Sequence, residues 1–150
     1  MTISDRSSAG LRADTSGPVA AELLIQAGWP VEVTIVADDV SQIQDAVRAA
    51  IDAGARLVVT SGGTGVAPRD VTPEAMEGIF EREIPGIAEE LRRRGAEKLP
   101  AALLSRGRAG VVGNALVVNL PGSTGGVRDG IPVVLSVAAH VLAQLDGEDH

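Results

Sequence analysis

The chain has 150 residues, 45% of them hydrophobic and 22% charged, with only two aromatics, Trp29 and Phe80. Thirteen Lys and Arg against twenty Asp and Glu leave a net charge of −7, which argues against a nucleic-acid or anionic-membrane surface, and two aromatics offer no stacking platform for single strands. Cysteine is absent, so disulfides, thiolate metal sites and a cysteine nucleophile are excluded, and His140 and His150 are too few for most histidine metal sites.

Met1-Thr2-Ile3 reads as a short first strand. Over residues 17–28 the spacing places Val19, Leu23, Leu24 and Ala27 on one side of a helix that stops at Gly28. Val31, Val33 and Ile35 then alternate with Glu32 and Thr34, the pattern of a strand with one wetter face. Ile43, Val47 and Ile51 recur every four residues behind Ser41-Gln42-Ile43-Gln44, a capping-box spacing, and Gly54 closes that helix. Leu57-Val58-Val59 is a continuous apolar run, as in a buried central strand. Thr72-Pro73 reads as the cap and first turn of a helix with Met76, Ile79 and Phe80 inward. A further helix runs from Pro85 through Leu91 to Gly95, and residues 99–104 form one short helix. Strands follow at Gly110–Gly113 and Ala115–Leu120. The last helix lies within 126–145 and buries Val134, Ala138, Val141, Leu142 and Leu145.

This alternation predicts an α/β fold with a parallel sheet covered by helices on both faces. One domain is expected over residues 1–146, with a free tail at 147–150. No apolar run approaches the roughly 20 residues that span a bilayer, and no leader pattern opens the chain, which predicts a cytoplasmic protein without membrane contact.

Polar and glycine-rich residues gather where the predicted strands end: Ser4-Asp5-Arg6, Asp38-Asp39, Ser61-Gly62-Gly63-Thr64-Gly65 and Asn119-Leu120-Pro121-Gly122-Ser123. In open α/β sheets ligands bind at those ends. The Ser61–Gly65 loop can bring successive backbone N–H groups to phosphate oxygens, or it can be a plain tight turn. It is not a Walker A loop, because no Gly-Lys-Ser/Thr follows, nor a dinucleotide fingerprint, because the third glycine is missing. Asp38 and Asp70 could hold Mg²⁺ through oxygen ligands, or each could cap a helix, for which Asp39 beside Ser41 is equally well placed. Arg69 could pair with Asp70 or meet a phosphate, and Ser123 or Thr124 could cap a helix whose N-terminus favours anions. His140 lies in an apolar helix as a core or surface residue, and Arg92-Arg93-Arg94 reads as a solvated helix end.

Thr60-Ser61-Gly62-Gly63-Thr64-Gly65 and Arg69-Asp70-Val71-Thr72-Pro73-Glu74-Ala75 resemble the signature of the molybdenum-cofactor biosynthesis domain. Ser4-Asp5-Arg6, Asp14-Thr15-Ser16-Gly17-Pro18, Leu104-Ser105-Arg106 and Asn119-Leu120-Pro121-Gly122-Ser123 agree with it in the family's order. The resemblance covers nearly the whole chain, and its nearest branches are the MogA/MoaB-type proteins and the G domain of gephyrin and its plant counterpart. It implies a three-layer α/β/α sandwich with a mostly parallel sheet, and molybdopterin adenylyltransferase activity. In that reaction AMP passes from Mg-ATP to the terminal phosphate of molybdopterin and pyrophosphate is released. The resemblance further implies Asp38 and Asp70 as the catalytic acidic pair and Mg²⁺ ligands. Ser61, Gly62, Gly63, Thr64 and Gly65 would lie against the nucleotide phosphates; Ser4, Ser105, Asn119, Pro121 and Gly122 would lie near the pterin. A homotrimer or hexamer is implied, with a molybdate-insertion enzyme downstream. The sequence departs from the family pattern in two places: only Met1-Thr2-Ile3 precede Ser4, and Ala37 stands where a proline commonly precedes the acidic residue. A non-catalytic molybdopterin-binding scaffold of the same pathway is the competing reading, against which both aspartates speak.

Overall fold

The computed structural model describes residues 1–147, so the predicted tail lies, but for Gly147, outside the described residues. In chain order the elements are β1 (Thr2–Ile3), α1 (Asp5–Ser8), α2 (Ser16–Gln26), β2 (Ile35–Val36), α3 (Val40–Asp52), β3 (Leu57–Ser61), α4 (Thr72–Glu77), β4 (Arg82–Glu83), α5 (Pro85–Lys98), a 3-10 turn (Pro100–Leu104), β5 (Ala109–Val112), β6 (Ala115–Leu120) and α6 (Thr124–Leu145). The strands form one sheet in the order β2-β1-β3-β6-β5-β4.

The centre of the sheet follows from apolarity on both strand faces. All six residues of β6 are buried, and β3 pairs with β6 in parallel from Leu57↔Leu116 to Ser61↔Leu120. Because side chains alternate along a strand, Leu116, Val118 and Leu120 face one way, against Val127, Ile131, Val134 and Ala138 of α6, Leu24 of α2 and Ile87 of α5. Val117 and Val58 face the other way, against Ile43 and Val47 of α3 and Ala75 and Met76 of α4. Two cores on two faces of one sheet give the three-layer α/β/α sandwich.

The sheet is mostly parallel, as the resemblance implies, with an antiparallel edge. β1, β2, β3 and β6 pair in parallel, whereas β5 is antiparallel to both β6 and β4. The cause is local: Val112 pairs with Ala115 across Gly113-Asn114, and Gly113 at φ +58 makes the two-residue turn that suits the twist of a hairpin. β2 is shorter than the predicted strand over residues 31–35. Among the described residues it pairs only with β1, whose two residues pair as Thr2↔Ile35 and Ile3↔Val36, so Val33 and Ile35 stay 46% and 44% exposed at the sheet edge. The cap of α3 is Asp39, whose Oδ1 accepts from Gln42 N at 2.9 Å and from Ser41 Oγ at 2.7 Å; Ser41 therefore sits inside the first turn.

The expectation that no segment is long and apolar enough for a bilayer is also corrected. α6 reaches that length and apolarity. Here the same residues are spent on the sheet, with Val127, Ile131, Val134 and Ala138 fully buried, while Arg128 and Asp129 lie in its second turn. On α5 the arginine run divides as its helical spacing dictates. Arg93 and Arg94 pair with Glu90 on the solvent side and hold its carboxyl down at about 2, whereas Arg92 turns inward and donates to Gly107 O at 3.1 Å.

Candidate active site

The parallel strands β1, β2, β3 and β6 all end on the same side, and their outgoing loops surround a cavity of about 610 Å³. Its floor is the glycine loop after β3. Ser61 Oγ donates to Pro121 O at 3.1 Å, Gly62 N to Leu120 O at 3.1 Å, and Thr72 Oγ1 to Gly62 O at 2.9 Å. Thr72 is thus not the expected helix cap: Val71 precedes the helix, and the Thr72 hydroxyl instead ties α4 to the loop. Only glycine fits at residue 62, where φ is +112 and a Cβ would lie 2.3 Å from Ile3 O. Among the described residues no acceptor meets the backbone N–H groups of Gly63, Thr64, Gly65 and Val66. Four successive unpaired donors make this loop suited to an anion.

The carboxylates of Asp5, Asp38 and Asp70 border the floor. Asp38, just past β2, and Asp5, at the start of α1, bond reciprocally: Asp5 N donates to Asp38 Oδ2 at 2.8 Å and Asp38 N to Asp5 Oδ1 at 2.9 Å. The Asp38 carboxyl overhangs Gly63, whose Cβ would come 3.0 Å from Oδ1. Burial pushes the Asp38 carboxyl above its ordinary range; the Asp5 amide opposes this, and the charges of Asp5 and Asp70 add to it. Asp70 closes a turn, its Oδ2 accepting from Ala67 N at 2.9 Å, and lies over Gly65, where a Cβ would approach to 2.7 Å. Asp38 and Asp70 each keep one oxygen, Oδ1, that receives no hydrogen bond among the described residues. Arg69 pairs with Asp5 Oδ2, which has no other partner among the described residues.

The structure brings together Ser4, Asp38, Ser61, Gly62, Gly63, Asp70 and Gly122 around this cavity. Thr64, Gly65, Ser105, Asn119 and Pro121 are not in its lining. Thr64 is buried, and Asn119 is turned into the sheet, donating to Thr60 Oγ1 at 2.9 Å and accepting from Arg108 N at 3.1 Å. Ser105 Oγ accepts from Gly107 N at 3.3 Å on the β6 side of the glycine loop. His140 lies exposed on α6, away from the cavity. The sequence placed Ser4-Asp5-Arg6 at a strand end but assigned no site role to Asp5, Arg6, Arg12 or Asp14, all of which line the cavity. The signal for Asp5 was its place between Ser4 and Arg6; its partner Asp38 is 33 residues away and no periodicity links the two.

Asp14 is a structural member of this wall. Its carboxylate accepts from Thr2 Oγ1 at 2.7 Å, Gly17 N at 3.0 Å and Ser16 N at 3.1 Å, joining α2 to β1. Burial alone would raise its pKa, but those donors, Gly17 first, outweigh it and hold the carboxyl below its ordinary value. A depressed folded-state pKa contributes stability that is present above the unfolded value and lost as pH falls through the folded one. Asp14→Ala is therefore expected to lower unfolding stability at pH 7 by about 1–2 kcal/mol in urea titrations, with the difference from wild type shrinking as pH falls below 4 or so. An unchanged gap down to pH 2 or so would contradict this account.

A model of the family described as a probable molybdopterin binding domain matches residues 1–140. The molybdenum cofactor biosynthesis bifunctional protein of Chlorobaculum tepidum is 41% identical over 151 residues, covering 100% of this chain and 48% of that protein. The chain thus spans about half the length, or less, of the first curated relatives it matches. The molybdopterin adenylyltransferase of Pyrococcus furiosus is 36% identical over 147 residues, covering 95% of this chain and 86% of that protein. Among solved structures, a molybdopterin biosynthesis protein from Mycobacterium abscessus is 47% identical, with a TM-score of 0.91 over 97% of this chain and 93% of that one.

Proposed function

The chain belongs to this molybdopterin-binding-domain family of molybdenum cofactor biosynthesis, and from that premise we propose that it is a molybdopterin adenylyltransferase. One observation carries the reading furthest: four loop amides without an acceptor among the described residues lie beside Asp38 and Asp70, each with one oxygen that accepts no hydrogen bond there. In the proposed reaction a terminal phosphate oxygen of molybdopterin attacks the α-phosphorus of ATP. The bond from that phosphorus to the bridging oxygen breaks, and pyrophosphate leaves with the electron pair. Both reactants are anionic, so the protein's task is to align them and offset their charge, without a nucleophile of its own.

The amides of Gly63, Thr64, Gly65 and Val66 take phosphate oxygens in this reading, with Ser61 and Gly62 as the floor beneath them. Arg6 and Arg12, which line the cavity and have no carboxylate partner among the described residues, meet further phosphate charge at its wall. Ser4 and Gly122 border the pterin, while Ser105, Asn119 and Pro121 shape the neighbouring wall from the β6 side. Asp38 and Asp70 fit a divalent cation such as Mg²⁺ through their unpaired oxygens. A hard ion of this kind takes one or two carboxylates and completes its shell with phosphate and water. When bound, such an ion neutralises phosphate charge and orients the reacting groups. A cytoplasmic homotrimer or hexamer, handing its product to a molybdate-insertion enzyme, completes the proposal.

The test is pyrophosphate release from Mg-ATP by the purified chain, with and without molybdopterin. The expected result is release that depends on molybdopterin and ceases when the divalent ion is chelated. Tight pterin binding with no release would instead favour a scaffold.

A further inference from the structure

We infer that Arg106 is a positioning residue that clamps the glycine loop to the turn carrying Asp70; its part in catalysis rests on the adenylyl-transfer reading above. Arg106 is not in the lining of the cavity, so it acts through its neighbours. Its backbone N donates to Thr64 O at 2.8 Å, its Nε to Gly65 O at 2.7 Å and its Nη2 to Asp70 O at 2.6 Å, while Nη1 pairs with the carboxylate of Glu74 on α4. Two loops and a helix are thereby fixed by one side chain and its own amide.

The consequence for the loop follows from peptide geometry. In a planar trans peptide the C=O and the following N–H point in opposite directions. With Thr64 O and Gly65 O both held toward Arg106, the N–H groups of Gly65 and Val66 are turned away from it, and these are two of the four donors without a partner. The same guanidinium fixes the backbone of Asp70, whose carboxylate closes the turn onto Ala67 N. Arg106 therefore sets the distance between the anion-binding amides and one carboxylate of the pair. Lysine could not substitute fully, because a guanidinium presents five donors in a rigid plane and an ammonium is a single point. Glu74 keeps the fork in place: its hydrogen bond raises the Arg106 pKa, and Arg106 in turn holds the Glu74 carboxyl below its ordinary value.

Hydrogen exchange and turnover on the whole chain test this together, using wild type, Arg106→Ala, Arg106→Lys and Glu74→Gln. In Arg106→Ala the amides of Ala67 and Asp70 are expected to exchange about tenfold faster while those of β6 keep their protection, because charge-assisted hydrogen bonds of this strength are lost only at the loops. Half-saturating Mg-ATP should rise by about tenfold, with Arg106→Lys and Glu74→Gln intermediate in both readouts. If β6 also loses protection in the alanine variant, the lysine variant is judged by the same two readouts. Unchanged exchange at Ala67 and Asp70 would overturn the clamp whatever the turnover. Faster exchange with unaltered kinetics, in a chain whose wild type is active, would overturn the positioning role. Faster exchange in a chain whose wild type is inactive would uphold the clamp and sink adenylyl transfer instead.

Discussion

Asp38→Asn and Asp70→Asn should each slow molybdopterin-dependent pyrophosphate release by about 10²–10³-fold or more, the scale of losing one charge-stabilising group aimed at a transition state. Both variants should nevertheless stay folded, which separates a metal-site carboxylate from a structural one. Asp38 has a folded-state pKa raised by burial and by the neighbouring charges of Asp5 and Asp70. A raised carboxyl pKa means that ionisation costs folding free energy, so stability falls as pH rises from the unfolded value through the folded one. Asparagine removes that cost while its oxygen can still accept from Asp5 N. Asp38→Asn should therefore melt at or above the wild-type temperature at pH 7, although it is nearly inactive. Asp70→Asn also keeps an acceptor for Ala67 N and should fold normally. Pterin binding should survive in both. Activity within threefold or so of wild type in either variant would remove that aspartate from the mechanism. A clear fall in melting temperature for Asp38→Asn would show instead that its charge supports the fold.

The cores were legible because burial on both faces leaves a continuous apolar signature in β3 and β6, and α3 and α6 carry helical spacing. The edges were not. β2 and β4 are two residues each, too short for any period to register, and α1 is a single turn capped by Ser4. The hairpin from β5 to β6 was signalled only by Gly113-Asn114, which the regular strand–helix alternation overshadowed. At the site, strand ends and motif order located Asp38, Asp70 and the glycine loop. What remained hidden were bonds between distant segments: Asp5 with Asp38, Asn119 with Thr60, Arg106 with Gly65 and Asp70. Each is a side chain satisfying a polar group from another element, and composition or spacing carries no record of such partners. Asn119 shows the consequence most plainly. Its type and motif suggested contact with a ligand, whereas its amide is occupied inside the sheet at both ends.

Gly62→Ala should be among the most destabilising single-methyl additions in the chain, lowering unfolding stability by about 3–5 kcal/mol, as backbone strain and overpacking act at once. The backbone at residue 62 has φ +112, a conformation that an L side chain rarely adopts, and the added Cβ would meet Ile3 O at 2.3 Å. That neighbour is a strand carbonyl, which cannot rotate away as a flexible side chain would. Relief requires β1 to move, and β1 is held on both sides, by Thr2↔Ile35 and Ile3↔Val36 to β2 and by Thr2↔Ser61 to β3. Movement of β1 carries Ser4 and Asp5 with it, and Asp5 carries Asp38 through their reciprocal bonds. Loss of activity should therefore exceed what the population of unfolded protein explains, and urea titration beside turnover at low denaturant would separate the two. The matching control is Gly86→Ala, at an exposed position in the first turn of α5 where a Cβ meets nothing within 4 Å. There the helix gains about 0.5–1 kcal/mol from the same methyl group. If both substitutions shifted the midpoint alike, glycine at residue 62 would owe nothing to the β1 carbonyl, and the close packing of the site floor against β1 would have to be abandoned.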